Sequence, residues 1–276
     1  MGRVRRISFE GGVYHVMNRG VDRQRIFFDD CDRHEFGRRL GAVHERFGLE
    51  TIAYCLMTNH YHLVLRVTDG SLSDAMHHLG SVFTRHVNDR VGRDGPLFRG
   101  RFRSILVDTD QYLRWVVRYV HRNALDLPGV NSTERYRWSS MRTYLGLRPT
   151  PDFLSTDLVL GCFDGVNDFW SYHADDSPAG VRTIAEVDEL DRLVEHLIAI
   201  DDLEYGDDDT VAPQGLLRAV RLALAVRRPD SPLANMVLDQ IPTPEARSAA
   251  LYRARRRMRD DDRITRLAER IETLIA

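Results

Sequence analysis

Two strand-forming runs, Thr51–Met57 and His60–Val67, are separated by only two residues, Thr58 and Asn59. A connection that short between β-branched and aromatic runs predicts an antiparallel hairpin. The chain is thereby committed to an antiparallel sheet, with Asn59-His60-Tyr61-His62 at the turn. Residues i and i+2 of a strand share a face and lie roughly 6–7 Å apart. His60 and His62 are therefore expected to reach one divalent ion together. Taken alone, the pair is equally consistent with two surface or core histidines. Cys55 is not expected to join them.

The remaining pattern extends the sheet. Val13–Asn18 alternates like a strand and ends at Arg19-Gly20. Cys31–Phe47 carries Phe36, Leu40, Val43 and Phe47 at helical spacing, with Asp29 or Asp30 as cap and Gly48 as stop. Leu72–Val91 reads as a second helix after Ser71 or Ser73. Phe102–Val107 reads as a fourth strand, and Asp108 or Asp110 is expected to cap a helix over Gln111–Asn123. The order β-α-β-β-α-β-α predicts an α+β fold, a ferredoxin-like or RRM-like antiparallel sheet with helices on one face.

Charge divides the chain in two. Residues 1–150 hold 24 arginines against 16 acids, while residues 151–276 hold 15 arginines against 25 acids. The first part has the electrostatics of a nucleic-acid binder and the second does not. We expect a first domain over 1–148 and a linker over 149–185, marked by Pro149-Thr150-Pro151 and a later polar stretch. An all-helical accessory domain over 186–276 is expected to follow, with helical segments at Val187–Ile200, Gln214–Arg227 and Glu245–Ile275. No run approaches the length of a membrane span. The basic start lacks the apolar core of a secretory signal. The cysteines Cys31, Cys55 and Cys162 form no CxxC pair. A cytoplasmic location is the expectation.

Tyr119 and Asn123 are four apart on the last predicted helix of the first domain, so both face the same side. A tyrosine in that setting is ordinarily a packing residue. Its phenol, with a pKa near 10, becomes a nucleophile when a cation favours the phenolate and neutralises a phosphoryl group. Two imidazoles and a phenol suit attack on a phosphodiester that leaves the protein joined to nucleic acid. Arg99, Arg101, Arg103, Arg114, Arg118 and Arg122 crowd this region beside Phe98 and Phe102. Such a mixture suits unpaired bases and their backbone. Arg3, Arg5 and Arg6 form a candidate basic arm, and Asn18-Arg19-Gly20 a candidate recognition loop.

The blocks GGVYHVMNRG, RIFFDD, YCLMTNHYHLVLR, PLFRGRFRSILVD, YLRWVVRYVHRNAL and YRWSSMRTYLG resemble, in order, those of the single-tyrosine HUH transposases of the IS200-like family. The blocks look especially like those of the REP-associated tyrosine transposases. The resemblance covers about Gly11 to Gly146. It implies a metal-dependent single-stranded DNA endonuclease and strand transferase that uses Mg²⁺ or Mn²⁺ and forms a 5′-phosphotyrosine beside palindromic hairpins. His60, His62 and Asn123 are then the metal ligands and Tyr119 is the nucleophile. Arg3, Arg5, Arg6, Asn18, Arg19, Arg99, Arg101, Arg103, Arg118 and Arg122, read from their charge and position, are the expected DNA contacts. The family commonly has proline where this chain has Thr58, and Pro-Val-Arg where it has Ala124-Leu125-Asp126. Residues 214–276 distantly resemble the DNA-binding part of the replication initiator DnaA.

The resemblance also implies a bacterial, nucleoid-associated protein and leaves open whether Tyr119 serves its own subunit or that of a homodimer partner. Two other readings stay open at this point. One is a non-catalytic hairpin-binding protein derived from a transposase. The other is a metal-dependent ribonuclease using the histidines as acid and base, which would leave no protein adduct.

Overall fold

The computed structural model describes residues 8–174, 187–204 and 213–275. Arg3, Arg5 and Arg6 lie outside the described residues, as does the acidic stretch 205–209. The chain forms two compact units, Met1–Ala174 and Asp175–Ala276.

The first unit contains β1 (Val13–Arg19), α1 (Asp30–Phe47), β2 (Leu49–Leu56), β3 (His60–Val67), α2 (Leu72–Val91), β4 (Arg103–Val107) and α3 (Asp110–Arg122). The strands lie in the order β2-β3-β1-β4, and every neighbouring pair is antiparallel. This is the expected ferredoxin-like sheet. The turn at Thr58-Asn59 closes with the Met57 N–H donating to the His60 carbonyl at 3.0 Å.

Helix boundaries follow local chemistry. Asp29 caps α1 by accepting from the backbone of Cys31 and Asp32. Gly48 ends the helix at φ 55°, where a Cβ would meet the Asp69 carbonyl oxygen at 2.5 Å. Ser71 caps α2. The cap of α3 is Thr109, whose side chain accepts from Tyr112 N, in place of either neighbouring aspartate.

Strand alternation then decides what each face covers. Tyr14, Val16, Tyr54, Leu56, Tyr61, Leu63 and Leu65 join Phe36, Leu40, Val43, Leu79 and Phe83 of α1 and α2 in one core. These two helices are the helical face read from the sequence. The second face is covered as well: α3 packs against β2, β3 and β4. The near-continuous burial of β3, including Tyr61, His62, Leu63, Val64 and Leu65, reflects a sheet covered on both sides.

Residues 149–174, expected as part of a linker, fold into this unit. The chain re-enters along β2, where Thr51 N donates to Phe153 O at 3.1 Å and Ser155 N donates to Thr51 O at 2.9 Å. Three short helices follow the sheet and α3, namely α4 (Met141–Tyr144), α5 (Asp157–Leu160) and α6 (Val166–Ala174). Phe169 of α6 is buried and stacks on Tyr144 with centroids 4.8 Å apart. The prolines mark a turn, and the apolar residues beyond them bring the chain back. The rest of the expected linker, 175–185, lies outside the described residues.

The second unit is helical: α7 (Val187–Glu204), α8 (Pro213–Arg227), α9 (Pro232–Asp239), α10 (Pro244–Asp260) and α11 (Asp262–Ile275). The single helix expected over Glu245–Ile275 is broken at Asp261, whose backbone is extended and whose carboxylate accepts from Arg263 N at 3.0 Å. Arg263 and Arg266 both reach the buried carboxylate of Asp201, at 2.7 and 3.0 Å. Leu193, Leu197, Val220, Leu224, Leu267 and Ile271 fill the core of this unit.

Candidate active site

The β1–β3 ladder pairs Arg19 with His60, Met17 with His62 and His15 with Val64. Paired residues share a face, so this side of the sheet carries His15, His60 and His62 beneath α3. The rings of His60 and His62 sit 5.0 Å apart, nearly perpendicular. Their Nε2 atoms are both shielded from solvent.

The proton on His60 can be read from its neighbours. Asn59 Nδ2 donates to the Arg23 carbonyl at 3.1 Å, which fixes the amide's orientation. Asn59 Oδ1 then meets His60 Nδ1 at 2.8 Å. An amide oxygen only accepts, so Nδ1 carries the hydrogen and Nε2 keeps its lone pair. Arg23 and its neighbour Asp22 hold left-handed backbone, with φ of 58° and 50°. Two non-glycine residues in that region are costly. The strain lies in the segment that supplies this carbonyl.

Tyr119 is enclosed by rings. Its own ring lies 5.6 Å from His62 and 5.9 Å from His15, edge-on to both. Trp115 stacks on it at 5.6 Å and 19°, and Tyr112 stacks on Trp115 at 5.8 Å and 7°. The Tyr119 hydroxyl donates to Asn123 Oδ1 at 3.3 Å. Asn123, 3% exposed, is the C-cap of α3. Its Nδ2 donates to the Tyr119 carbonyl at 2.8 Å. The structure thus brings together His60, His62, Tyr119 and Asn123 around one end of the sheet.

His15 was not singled out from the sequence. It is fully buried and its Nε2 lies 3.0 Å from His62 Nδ1, with the rings stacked at 5.1 Å. Burial lowers its pKa to about 3, so the ring is neutral. Cys55 also faces this side, directly opposite His62 in the β2–β3 ladder. A two-residue turn sets 57 against 60 and hence 55 against 62, so this placement was legible. Its thiol donates to Met57 Sδ at 3.6 Å. Burial pushes the pKa far up and keeps the thiol protonated.

Among the described residues, no group of three or more His, Cys, Asp or Glu side chains is placed to hold a metal ion. A cation here has to draw on other oxygen donors. The inferred His60 Nε2 lone pair, the buried Nε2 of His62 and the Asn123 carbonyl oxygen form a mixed nitrogen–oxygen set that fits a divalent ion.

The candidate DNA contacts divide into two groups. Arg99 and Arg101 are exposed on a loop pinned to the end of β1. Arg99 N donates to Arg19 O at 2.9 Å, and Val21 N donates to Leu97 O at 3.0 Å. Asn18 is buried and ties the same loop, its Nδ2 donating to Gly100 O at 3.2 Å. Arg19 is 4% exposed and opposes His60. Gly20 allows the tight exit from β1, since a Cβ there would meet Gln24 O at 2.1 Å. Arg103 opposes Met17 on the histidine face and is half-buried. Arg118 and Arg122 turn instead toward α6. Arg118, 8% exposed, lies over Tyr172 at 5.3 Å, and Arg122 donates to the His173 carbonyl at 3.1 Å. Arg118 is thus part of the unit's interior, and Arg122 is half-buried at its edge. Sequence position alone does not separate these two from the exposed arginines.

Residues 8–123 match the family model described as "Transposase IS200 like". No curated protein matches the chain. A solved structure of a REP-associated tyrosine transposase bound to a REP hairpin is similar at 16% identity, covering 57% of this chain and 93% of that one, with a TM-score of 0.47. No helix among the described residues is long and apolar enough to cross a membrane. The match to the family model spans 116 of the chain's 276 residues and makes this stretch similar to the IS200-like transposases.

Proposed function

We propose that the first unit cuts and rejoins single-stranded DNA beside hairpins through a covalent bond to Tyr119. The observation that carries this reading is the enclosure of Tyr119 by His62 and His15 at 5.6 and 5.9 Å, with Asn123 on its hydroxyl. Tyr119 Oη attacks phosphorus, the P–O3′ bond breaks, and the phenolic proton is balanced by the new 3′-hydroxyl. The 5′-phosphate remains on the tyrosine, and attack by a 3′-hydroxyl reverses the step. His60, His62 and Asn123 hold Mg²⁺ or Mn²⁺. Such an ion, when bound, offsets phosphoryl charge and favours the phenolate. Trp115 restricts the phenol to one side, and Arg99 and Arg101 hold the strand's backbone near the end of β1.

The test is incubation of the full chain with a labelled single strand carrying a hairpin and Mn²⁺. A denaturant-resistant protein–DNA adduct is expected for the native chain and none for Tyr119→Phe. Site-specific cleavage by the phenylalanine variant, or tight hairpin binding with no product under either ion, overturns the proposal.

For the second unit we propose an accessory contact to nucleic acid. A cavity of about 410 Å³ between α8 and α10 is lined by Arg218, Arg253, Arg256 and Arg257 over Ala219, Ala250 and Ala254, with Asp260 at 3.8 Å from Arg256. Arg221, Arg227, Arg247 and Arg263 elsewhere in the unit are engaged by acids. Among the described residues, Arg218, Arg253 and Arg257 form no ion pair. That local basic face suits a phosphate backbone despite the unit's acidity. Arg253→Glu with Arg257→Glu should weaken DNA binding by the full chain while leaving adduct chemistry at saturating DNA intact. Unchanged affinity across salt concentrations would rule the contact out.

A further inference from the structure

We propose that His15 is a positioning residue for His62, accepting its Nδ1–H and so holding it in the tautomer whose Nε2 lone pair can ligate a cation. This rests on the reading of His60 and His62 as ligands, and it concerns a residue outside that set.

The geometry is specific. His15 Nε2 and His62 Nδ1 are 3.0 Å apart, and both residues are fully buried. A hydrogen bond between two ring nitrogens needs one N–H between them, which allows two arrangements. If His15 donates, His62 carries its own hydrogen on Nε2 and cannot bind a cation there. If His62 donates, its Nε2 carries no hydrogen and keeps its lone pair, and His15 presents an unprotonated Nε2. Only the second arrangement is compatible with ligation.

His60 has the matching arrangement by independent means, because Asn59 Oδ1 fixes its hydrogen on Nδ1. The two ligands are thus set by different partners, an amide from the turn and an imidazole from the neighbouring strand. β1 lies between β3 and β4, so His15 is held by ladders on both sides. It also forms part of the wall around Tyr119, 5.9 Å from that ring. A single buried ring therefore touches both the ligand and the nucleophile. Partners of this kind ordinarily change metal affinity by 10- to 100-fold.

The experiment is calorimetric titration of Mn²⁺ into the full chain, with thermal melting to establish folding. His15→Leu should weaken Mn²⁺ binding by about 10- to 100-fold. His15→Gln, whose side-chain oxygen can accept near the original Nε2 position, should recover most of it. His60→Ala should remove binding. If His15→Leu binds Mn²⁺ like the native chain while His60→Ala does not bind, His15 has no positioning role. If none of the substitutions alters binding, the ligand assignment itself falls, and this proposal with it. A second readout needs no variant: histidine ¹⁵N spectra of the metal-free native protein should show His62 protonated at Nδ1. A hydrogen on His62 Nε2 instead overturns the proposal, even if His15→Leu fails to fold.

Discussion

The hydroxyl of Tyr119 donates to Asn123 Oδ1 at 3.3 Å, and Asn123 Nδ2 donates back to the Tyr119 carbonyl at 2.8 Å. The proposed nucleophile and its neighbour are therefore joined across the last turn of α3, and a substitution at either tests a different part of the pair. Tyr119→Phe removes one long hydrogen bond and leaves every ring contact in place. Its stability should fall by no more than about 1 kcal/mol, measured by denaturant unfolding, while adduct formation is lost completely.

Asn123→Ala removes both the oxygen offered to the hydroxyl and a helix-end hydrogen bond. We expect a loss of about 1–2 kcal/mol from the buried carbonyl left with fewer donors. Adduct yield should fall by tenfold or more at fixed Mn²⁺, and raised Mn²⁺ should recover part of it. Quantitative gel assay of adduct against Mn²⁺ concentration checks this.

Two further buried histidines set an acid limit on folding. His121 Nε2 lies 2.7 Å from Ser140 Oγ, and His173 Nδ1 lies 2.8 Å from the Phe169 carbonyl. Burial lowers both pKa values, that of His173 to about 3. An unfolded histidine titrates near 6.5. Below that pH the unfolded chain binds protons that the folded chain excludes. Stability is then full above about 6.5 and falls progressively toward pH 3, by up to about 1.4 kcal/mol per pH unit for each group. Urea unfolding across pH 4–8 should show this slope, and His173→Phe should reduce it.

The arginines should separate by their role. Arg101→Ala, at an exposed loop position, should leave melting unchanged and reduce the salt dependence of single-strand binding by about 0.7 in the log–log slope. Arg118→Ala removes a buried side chain stacked on Tyr172, so it should lower the melting temperature. Its salt slope should stay the same. Fluorescence titration at several salt concentrations distinguishes the two.

One buried carboxylate ties α1 to α2 beside their shared apolar core. Asp32 accepts from Arg90 Nε at 2.8 Å and Nη2 at 2.6 Å, from Phe28 N at 2.7 Å and from His86 at 3.2 Å. Burial raises its pKa, but the hydrogen bonds from Arg90 and Phe28 outweigh it and the net shift is downward. That stabilisation is present above the ordinary carboxylate range and is lost as pH falls through the lowered value. Asp32→Ala leaves Arg90 without its main partner and should cost roughly 3 kcal/mol. Adduct formation per folded molecule should be unaffected.

The elements that carry the proposed site were readable because short-range rules fix them. The Thr58-Asn59 turn sets the hairpin, alternation pairs His60 with His62, and helical spacing joins Tyr119 to Asn123. His15 was not readable in the same way. Its contact with His62 comes from the β1–β3 register, a pairing between segments about 50 residues apart. The direction of Arg118 and Arg122 was not readable either, because it is set by α6, which lay in a stretch read as linker. Phe153, Leu154, Phe163 and Phe169 were the apolar signal that this stretch packs. Thr109 is the cap because its backbone is extended, with φ −139° and ψ 152°, while Asp110 already lies inside the helix.

The register of β1 against β3 has a last consequence. A one-residue slip would turn His15 away from His62 and push Tyr14 and Val16 out of the core beneath α1 and α2. Misaligned molecules would thus lose their hydrophobic interior and their imidazole contact together. Damaged copies of this protein should therefore vanish by aggregation or proteolysis instead of persisting as well-folded, silent decoys on their target strands.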